Sequence, residues 1–207
     1  MKQHSRHIAL AVTGASGLQY GVRLLEMLLR AEDIQVSLLF SRAAHAVAAL
    51  ETDWNLPART DELAAHFCAR FKVDPQRLKA FAREDWTAPL ASGSNPPDAM
   101  VVCPCTTGTL AAISTGASDN LIERAADVVL KERRALILVP RETPYSAIHL
   151  EHMLKLARLG VVILPPNPGF YHRPQTAMDL VDFVVARILD HLDVPHALMP
   201  RWGEEEK

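Results

Sequence analysis

Five short apolar runs, each followed by a stretch with helical periodicity, constrain this chain more than any other feature in it. The clearest is ALILVP at 135–140, preceded by the charged segment ERAADVVLKERR at 123–134 and followed directly by Arg141 and Glu142. An apolar run without alternation reads as a strand covered on both faces, the usual state of strands in a parallel sheet between helices. HIALAV (7–12), IQVSLLF (34–40), AMVVCP (99–104) and VVILPP (161–166) have the same character. Strands alternating with helices predict a doubly wound parallel α/β sheet, and such sheets bind ligands beyond the C-terminal ends of their strands. A guanidinium and a carboxylate at the exit of ALILVP therefore fall where chemistry is expected.

The intervening segments supply the helices. Leu18, Val22, Leu25 and Leu29 recur at the spacing of one buried face and predict a helix over 18–30. An alanine-rich helix is predicted from Ser41 to about Glu51, and others over 61–71, 75–83, 121–134 and 145–158. A long amphipathic helix, TAMDLVDFVVARILDHL, is closed by Pro195. Between about 52 and 97 the pattern weakens into the turn-rich ASGSNPPD, which reads as a helical and loop excursion over the sheet. Residues from about 195 to 207 form a tail ending in GEEEK. TGAS occurs at 13–16 and again at 115–118, but the flanks differ and no period links them.

At 207 residues the chain suits one sizeable core, and one domain over 1–207 is predicted. With 49% hydrophobic and 22% charged residues it has the composition of an ordinary globular protein. A formal net charge of -2 gives no electrostatic reason to invoke nucleic acid or an anionic membrane, so an anionic ligand must be met locally. The N-terminal apolar stretch is too short for a signal segment, and no run approaches the roughly 20 apolar residues of a membrane span, which predicts a cytoplasmic protein. Cys68 stands alone and Cys103 and Cys105 flank Pro104, a spacing of neither a zinc pair nor a redox motif; reduced, buried thiols are expected. His149 and His152 in HLEH lack a third ligand, and no metal is expected.

Two loops carry most of the polar chemistry. TGASG (13–17) sits where the first strand turns into a helix, so backbone N–H groups and the Ser16 hydroxyl favour an oxygen-rich ligand. The same glycines also serve a tight turn. They do not form G-x-G-x-x-G, and Ser41 stands at the second strand's exit where a dinucleotide ribose calls for Asp or Glu, which argues against NAD. CTTGT (105–109) repeats the logic one strand over, with N-capping by a threonine as the plainer reading. On the helix of 121–134, Arg124 and Lys131 share a face with Asp127 between them, opposite Ile122, Ala126 and Val129; an exposed face with an Asp127–Lys131 pair accounts for these residues taken alone. Arg187 falls at the edge of a buried face, where a cation requires an anionic partner. Tyr171, His172 and Arg173 follow the proline-stiffened PPNPGF and suit either a phosphate or a subunit contact. Trp86 and Trp202 lie outside the apparent sheet, in core packing or an interface.

Read in order, TGASG, SRAA leading to LETD, RAADVVLKERR, LVPRETP and PPNPGFYHRPQ resemble the flavin prenyltransferase family, the UbiX-type proteins that include partners of UbiD-like decarboxylases in ubiquinone biosynthesis. The resemblance covers nearly the whole chain. It implies a Rossmann-like, flavodoxin-like flavoprotein, commonly a homododecamer working without metal. The implied reaction joins a dimethylallyl group from dimethylallyl monophosphate to reduced FMN, through bonds at N5 and C6, to give prenylated FMN. By motif, Gly14, Ala15, Ser16, Ser41, Thr106, Thr107, Gly108, Thr109 and Arg141 would hold FMN. Lys131, Tyr171 and Arg187 would hold the prenyl phosphate, with Arg124 assisting. Lys131 and Arg187 would stabilise the departing phosphate, Trp86 and Trp202 the allylic cation, and Glu142 and Glu51 would handle protons. Many members carry Ser-x-Lys-Thr where this chain has Thr106, Thr107, Gly108 and Thr109, so a family cation is missing there. Two other readings are a flavin-dependent decarboxylase of the related cysteine-decarboxylating proteins, whose P-x-M-N-type motif is absent, and an FMN carrier without chemistry of its own. A short-chain dehydrogenase, suggested by TGASGLQYG, lacks its Y-x-x-x-K pair.

Overall fold

The computed structural model describes residues 5–200 and 203; Trp202 lies outside them. Thirteen regular elements follow in the order β1 (Arg6–Val12), α1 (Leu18–Arg30), β2 (Ile34–Phe40), α2 (Arg42–Glu51), α3 (Thr60–Phe71), β3 (Leu78–Phe81), β4 (Ala99–Cys105), α4 (Thr107–Thr115), α5 (Leu121–Lys131), β5 (Ala135–Pro140), α6 (Ala147–Arg158), β6 (Val162–Ile163) and α7 (Ala177–His191). All strand pairs are parallel, and the sheet runs β3-β2-β1-β4-β5-β6, the Rossmann order. Its switch point lies between β1 and β4, where the chain winds outward in both directions. The expected doubly wound parallel sheet is present.

Period-two alternation divides the core into two layers. Ile8, Leu10 and Val12 of β1 pack with Leu25 and Leu29 of α1, Phe67 of α3 and Val184 and Ile188 of α7. Ala9 and Ala11 face the other way, with Leu110 of α4, Ile122 and Val129 of α5 and Leu156 of α6. The predicted apolar faces of α1 and α5 are the buried ones.

Several boundaries differ from the sequence reading. The helix expected over 75–83 is a short 3-10 turn at Pro75–Arg77 followed by β3, whose Leu78 and Phe81 are buried. Pairing with β2, Val36 to Leu78 through Leu39 to Phe81, overrides a local pattern too short to specify a helix. The 52–97 segment is thus more than an excursion, since it supplies the sheet's edge strand. The helix expected over 121–134 ends at Lys131, because Arg133 turns left-handed at φ 55. That expected over 145–158 starts at Ala147, where Ser146 and His149 form a reciprocal capping box. VVILPP pairs only through Val162 and Ile163, since Pro165 and Pro166 cannot donate to the ladder. The three cysteines are free and buried, and burial pushes the Cys105 thiol up to about 12 and raises that of Cys103 as well.

The contact that sets α1 against the switch point is made at Gly21, where a Cβ would stand 2.2 Å from the Cys103 carbonyl oxygen and 3.2 Å from Val12 Cγ2. No rotamer relieves a clash with backbone. Gly21→Ala is expected to destabilise the fold by about 1–3 kcal/mol, the usual cost of overpacking, read as a lowered urea midpoint. An unchanged midpoint would show that α1 shifts freely over the sheet.

Candidate functional site

The two polar loops meet at the switch point because one buried threonine ties them. Thr13 Oγ1 donates to the Pro104 carbonyl at 2.8 Å and accepts from the Thr106 N–H at 2.9 Å, and the Thr13 N–H reaches the same carbonyl at 3.2 Å. The β1 exit and the β4 exit are thereby fixed side by side. Gly14 brings the first loop against α2, since a Cβ there would lie 2.3 Å from that of Ala43. Ala15 beside it is buried. Ser41 caps α2, accepting from the Ala44 N–H at 3.1 Å. Thr106 caps α4, accepting from the Thr109 N–H at 3.1 Å while its hydroxyl donates to Thr109 Oγ1 at 2.9 Å.

The oxygen-rich occupant expected at the start of α1 proves to be a side chain of the chain itself. Glu51, the last residue of α2, accepts from the Gly17 N–H at 3.0 Å and from the Leu18 N–H at 3.3 Å. Burial alone would raise its pKa. Hydrogen bonds from the Ser16 hydroxyl and from those two backbone N–H groups, with the positive charge of Arg141, outweigh that and hold the carboxyl below its ordinary value. Arg141, delivered by β5, donates from Nε to the Ser16 carbonyl at 3.2 Å, and its own N–H reaches the Cys105 carbonyl. Ser16, Glu51 and Arg141 therefore form one cluster. They share a 620 Å³ cleft with an apolar wall of Tyr20, Pro166, Met178 and Val181. The sequence reading missed that wall; the usable signal was the position of Met178 and Val181 in the first turns of α7, at the ligand end of the sheet.

Glu142 lies next to this cluster, accepting from the Thr143 N–H at 3.0 Å. Tyr145 donates to the Pro140 carbonyl at 3.1 Å, and burial followed by the Glu142 charge raises its pKa. Tyr171 lies in the loop after β6, half-turned to solvent, with its ring edge-on to that of Phe183 at 6.0 Å. Trp86, in the loop after β3, is half exposed.

The remaining cations are elsewhere. α5 begins at the ligand end, where the Leu121 N–H bonds the carbonyl of Arg83 after β3, and ends where β5 begins. Lys131 is thus separated from Arg141 by the length of β5, about 20 Å at 3.3 Å per residue. It pairs with Glu132 rather than with Asp127. Arg124 bonds the Ala91 carbonyl at 3.0 Å and Asp127 at 2.6 Å. Arg187, more than two turns into α7 on the opposite face of the sheet, finds its anionic partner in Asp190 at 2.6 Å on the same helix. One chain therefore unites Ser16, Glu51 and Arg141 and leaves Lys131 and Arg187 apart from them, while Arg124, in the first turn of α5, stays toward the ligand end. His149 and His152 are engaged in the α6 capping box and with Ser114 Oγ at 2.5 Å.

The residues at the switch point fit a phosphate-bearing flavin. α4 opens there with the hydroxyls of Thr106, Thr107 and Thr109, and the space around Gly108 is free, its would-be Cβ meeting only Thr106 Oγ1 at 4.0 Å. The family described as Flavoprotein matches residues 1–189. The flavin prenyltransferase UbiX of Pseudomonas aeruginosa is 58% identical over 198 residues, 96% of this chain and 94% of that protein. Among solved structures, AnUbiX in complex with FMN and dimethylallyl pyrophosphate superposes with a TM-score of 0.84 at 41% identity, covering 97% of this chain and 99% of the other. A dodecameric FMN-dependent UbiX-like decarboxylase from Escherichia coli O157:H7 gives the same TM-score and identity over 96% and 100%.

Because the Glu51 carboxyl is depressed in the folded chain, its contribution to stability is complete above the ordinary value of 4.5 and is lost as pH falls through the folded one. Glu51→Gln is expected to lower stability at pH 7, with the deficit against the native chain shrinking as urea unfolding is followed down from pH 4.5. A deficit constant across that range would mean that the carboxylate's charge contributes nothing.

Proposed function

The chain belongs to the flavoprotein family and, within it, to the UbiX-type flavin prenyltransferases, and from that premise we propose that it transfers the dimethylallyl group of dimethylallyl monophosphate to N5 and C6 of reduced FMN. The observation that carries this reading is the Ser16–Glu51–Arg141 cluster at the switch point, which sets a guanidinium and a carboxylate beside a cleft with one polar and one apolar side. FMN, when bound, supplies the electron-rich ring that takes the prenyl group.

Gly14, Ala15, Ser16, Ser41 and Thr106 to Thr109 hold the flavin, with hydroxyls and helix N-termini meeting its phosphate. Arg141 orients it from the β5 exit. Gly108 leaves α4 without a side-chain cation, so the threonine hydroxyls and backbone N–H groups carry that contact alone. As the allylic C–O bond breaks, its electron pair leaves on phosphate, and Lys131, Arg124, Tyr171 and Arg187 stabilise the charge that develops. Trp86 offers its ring to the allylic cation, the role the resemblance also assigns to Trp202. Glu142 and Glu51 handle the protons, taking up those lost from N5 and C6 and returning one to the prenyl double bond that the second new bond consumes.

Since Lys131 and Arg187 lie far from Arg141 within one chain, they serve the site of a neighbouring subunit, and the active assembly is a homo-oligomer, by analogy with its relative a dodecamer. The exposed apolar side chains Ile148, Leu150, Leu154 and Leu159 on and just after α6 offer surface for such contacts. Prenylated FMN passes to a UbiD-like decarboxylase, in ubiquinone biosynthesis. Among the described residues no helix is long and apolar enough to cross a membrane, and with the free thiols this supports placement in the cytoplasm.

Mixed anaerobically with reduced FMN and dimethylallyl monophosphate, the protein is expected to release phosphate and yield a flavin heavier by one prenyl group. The diphosphate is assayed in parallel. Unchanged flavin mass with both donors would favour a carrier. Glu142→Ala should retain FMN while turnover falls by about 10²–10⁴-fold, the range of lost general acid–base catalysis; loss of flavin binding would place Glu142 in the cradle instead.

Lys131→Ala and Arg141→Ala should each abolish transfer. Co-assembled in equal amounts, they should recover about a quarter of native activity, the fraction of shared sites receiving both native residues from different chains. No recovery would place both residues in one chain's site.

A further inference from the structure

A second cleft, of about 510 Å³, opens at the other end of the sheet, where β1, β2 and β3 begin. Strand alternation explains its character. On the face covered by α4 to α6, β1 presents His7, Ala9 and Ala11, β2 presents Ser37 and Leu39, and β3 presents Lys79 and Phe81. Toward the ligand end this face is apolar core, with Ala9, Ala11, Leu39 and Phe81 buried. Toward the strand starts it turns polar: His7, Ser37 and Lys79 line the cleft, and the 89–98 segment helps to enclose it.

Ser37 is buried, and its hydroxyl meets His7 Nε2 at 2.7 Å. Three cations line the space, Arg77, Lys79 and Arg134, against one carboxylate, Asp98, in a chain whose net charge is -2. Asp98 compensates little. Its Oδ2 accepts from the His7 N–H at 2.8 Å, and its Oδ1 stands 4.0 Å from Arg134 Nη1 with both side chains nearly half exposed. Arg77 is anchored before any ligand arrives. Its Nε and Nη2 donate to the Ile34 carbonyl at 3.1 and 2.7 Å, Nη2 also reaches the Ala31 carbonyl, and Nη1 has no partner among the described residues. Lys79 is held 4.9 Å over the Phe81 ring. Burial keeps His7 below its ordinary pKa, so the excess charge comes from the two guanidiniums and the ammonium.

Fixed guanidinium N–H groups, a lysine and a polar floor in a cleft of a few hundred Å³ match a small anion with several acceptor oxygens, and preorganisation lowers the entropic cost of binding it. We propose that this cleft is a second anion site, taking a small phosphate-bearing molecule at the end of the sheet remote from the Ser16–Glu51–Arg141 cluster. It is independent of the prenyl-transfer reading, since none of its residues belongs to that machinery.

The test is equilibrium dialysis of labelled inorganic phosphate with the full-length oligomer carrying Lys131→Ala and Arg187→Ala, which removes the cations assigned to the prenyl phosphate. Saturable binding of one phosphate per chain is expected to persist. Adding Lys79→Ala with Arg134→Ala should weaken it at least tenfold. Glycerol 3-phosphate displacing the label at lower concentration than phosphate would identify a phosphate ester as the ligand, and the reverse would identify free phosphate. In the otherwise native chain the Lys79→Ala, Arg134→Ala pair should leave prenyl transfer unchanged, and an unaltered near-ultraviolet dichroism spectrum checks its folding. Crystals soaked in thiophosphate should show a sulfur anomalous peak between Arg77 and Arg134. Binding that disappears with Lys131 and Arg187, or that survives loss of Lys79 and Arg134, would overturn the proposal.

Discussion

The hydroxyl of Thr13 holds the site's frame. At the topological switch point β1 and β4 send their chains outward in opposite directions, and their ladder stops at Ala11 and Val102, so the exits beyond that pair need another tie. Thr13 spends its donor on the Pro104 carbonyl and an acceptor lone pair on the Thr106 N–H, and is buried in doing so. Without it the Thr106 N–H would lose its partner, at about 1–3 kcal/mol for a group left buried and unpaired, and the Pro104 carbonyl would keep only the Thr13 N–H. The Gly21 contact with the Cys103 carbonyl acts on the same joint from the helix side, setting α1 directly on β4. The starts of α1 and α4 are therefore positioned by one small region of β1 and β4.

Electrostatics then divides the labour among helix starts. A helix N-terminus draws one anion well, and at α1 that place is taken by Glu51, whose carboxyl is held ionised by Ser16, by the Gly17 and Leu18 N–H groups and by Arg141. The starts of α2 and α4 carry only hydroxyl caps. Of the three helix starts, those of α2 and α4 therefore hold no side-chain carboxylate. Glu51 keeps a depressed pKa beside a cleft with an apolar wall.

Much of this was legible in the sequence, for identifiable reasons. Apolar strand runs and helical periodicity operate over six to fifteen residues, so β1, β2, β4 and β5 were placed close to their observed limits, whereas the run at 161–166 shrank to Val162 and Ile163. β3 escaped because four residues of an edge strand carry too little pattern of their own; their conformation comes from pairing with β2, Val36 opposite Leu78 through Leu39 opposite Phe81, far away along the chain. The cluster was legible in part. Ser16 and Arg141 stand at loop and strand exits, which topology sends to the ligand end, whereas the capping of α1 by Glu51 joins residues 34 apart along the chain and leaves no local signature. Asp127 was paired with Lys131 by i, i+4 spacing, but Arg124 reached it first from the preceding turn.

The placement of Lys131 and Arg187 follows from the same topology. In a right-handed βαβ crossover each strand runs toward the ligand end, and the helix that leads directly into the next strand runs back from it. Lys131, closing α5 just before β5, is therefore at the far end of the sheet, whereas Glu51, closing α2 before a second helix, stays at the ligand end beside the start of α1. A cation at the far end that acts on the ligand of this fold must do so from a second copy. Lys131 closes α5 and Arg187 lies in the second half of α7, on opposite faces of the sheet, so no rearrangement of loops within one chain brings both to Arg141. If these cations stabilise the departing phosphate, oligomerisation is a condition for chemistry in this protein, and the apolar side chains exposed along α6 are part of the machinery that satisfies it.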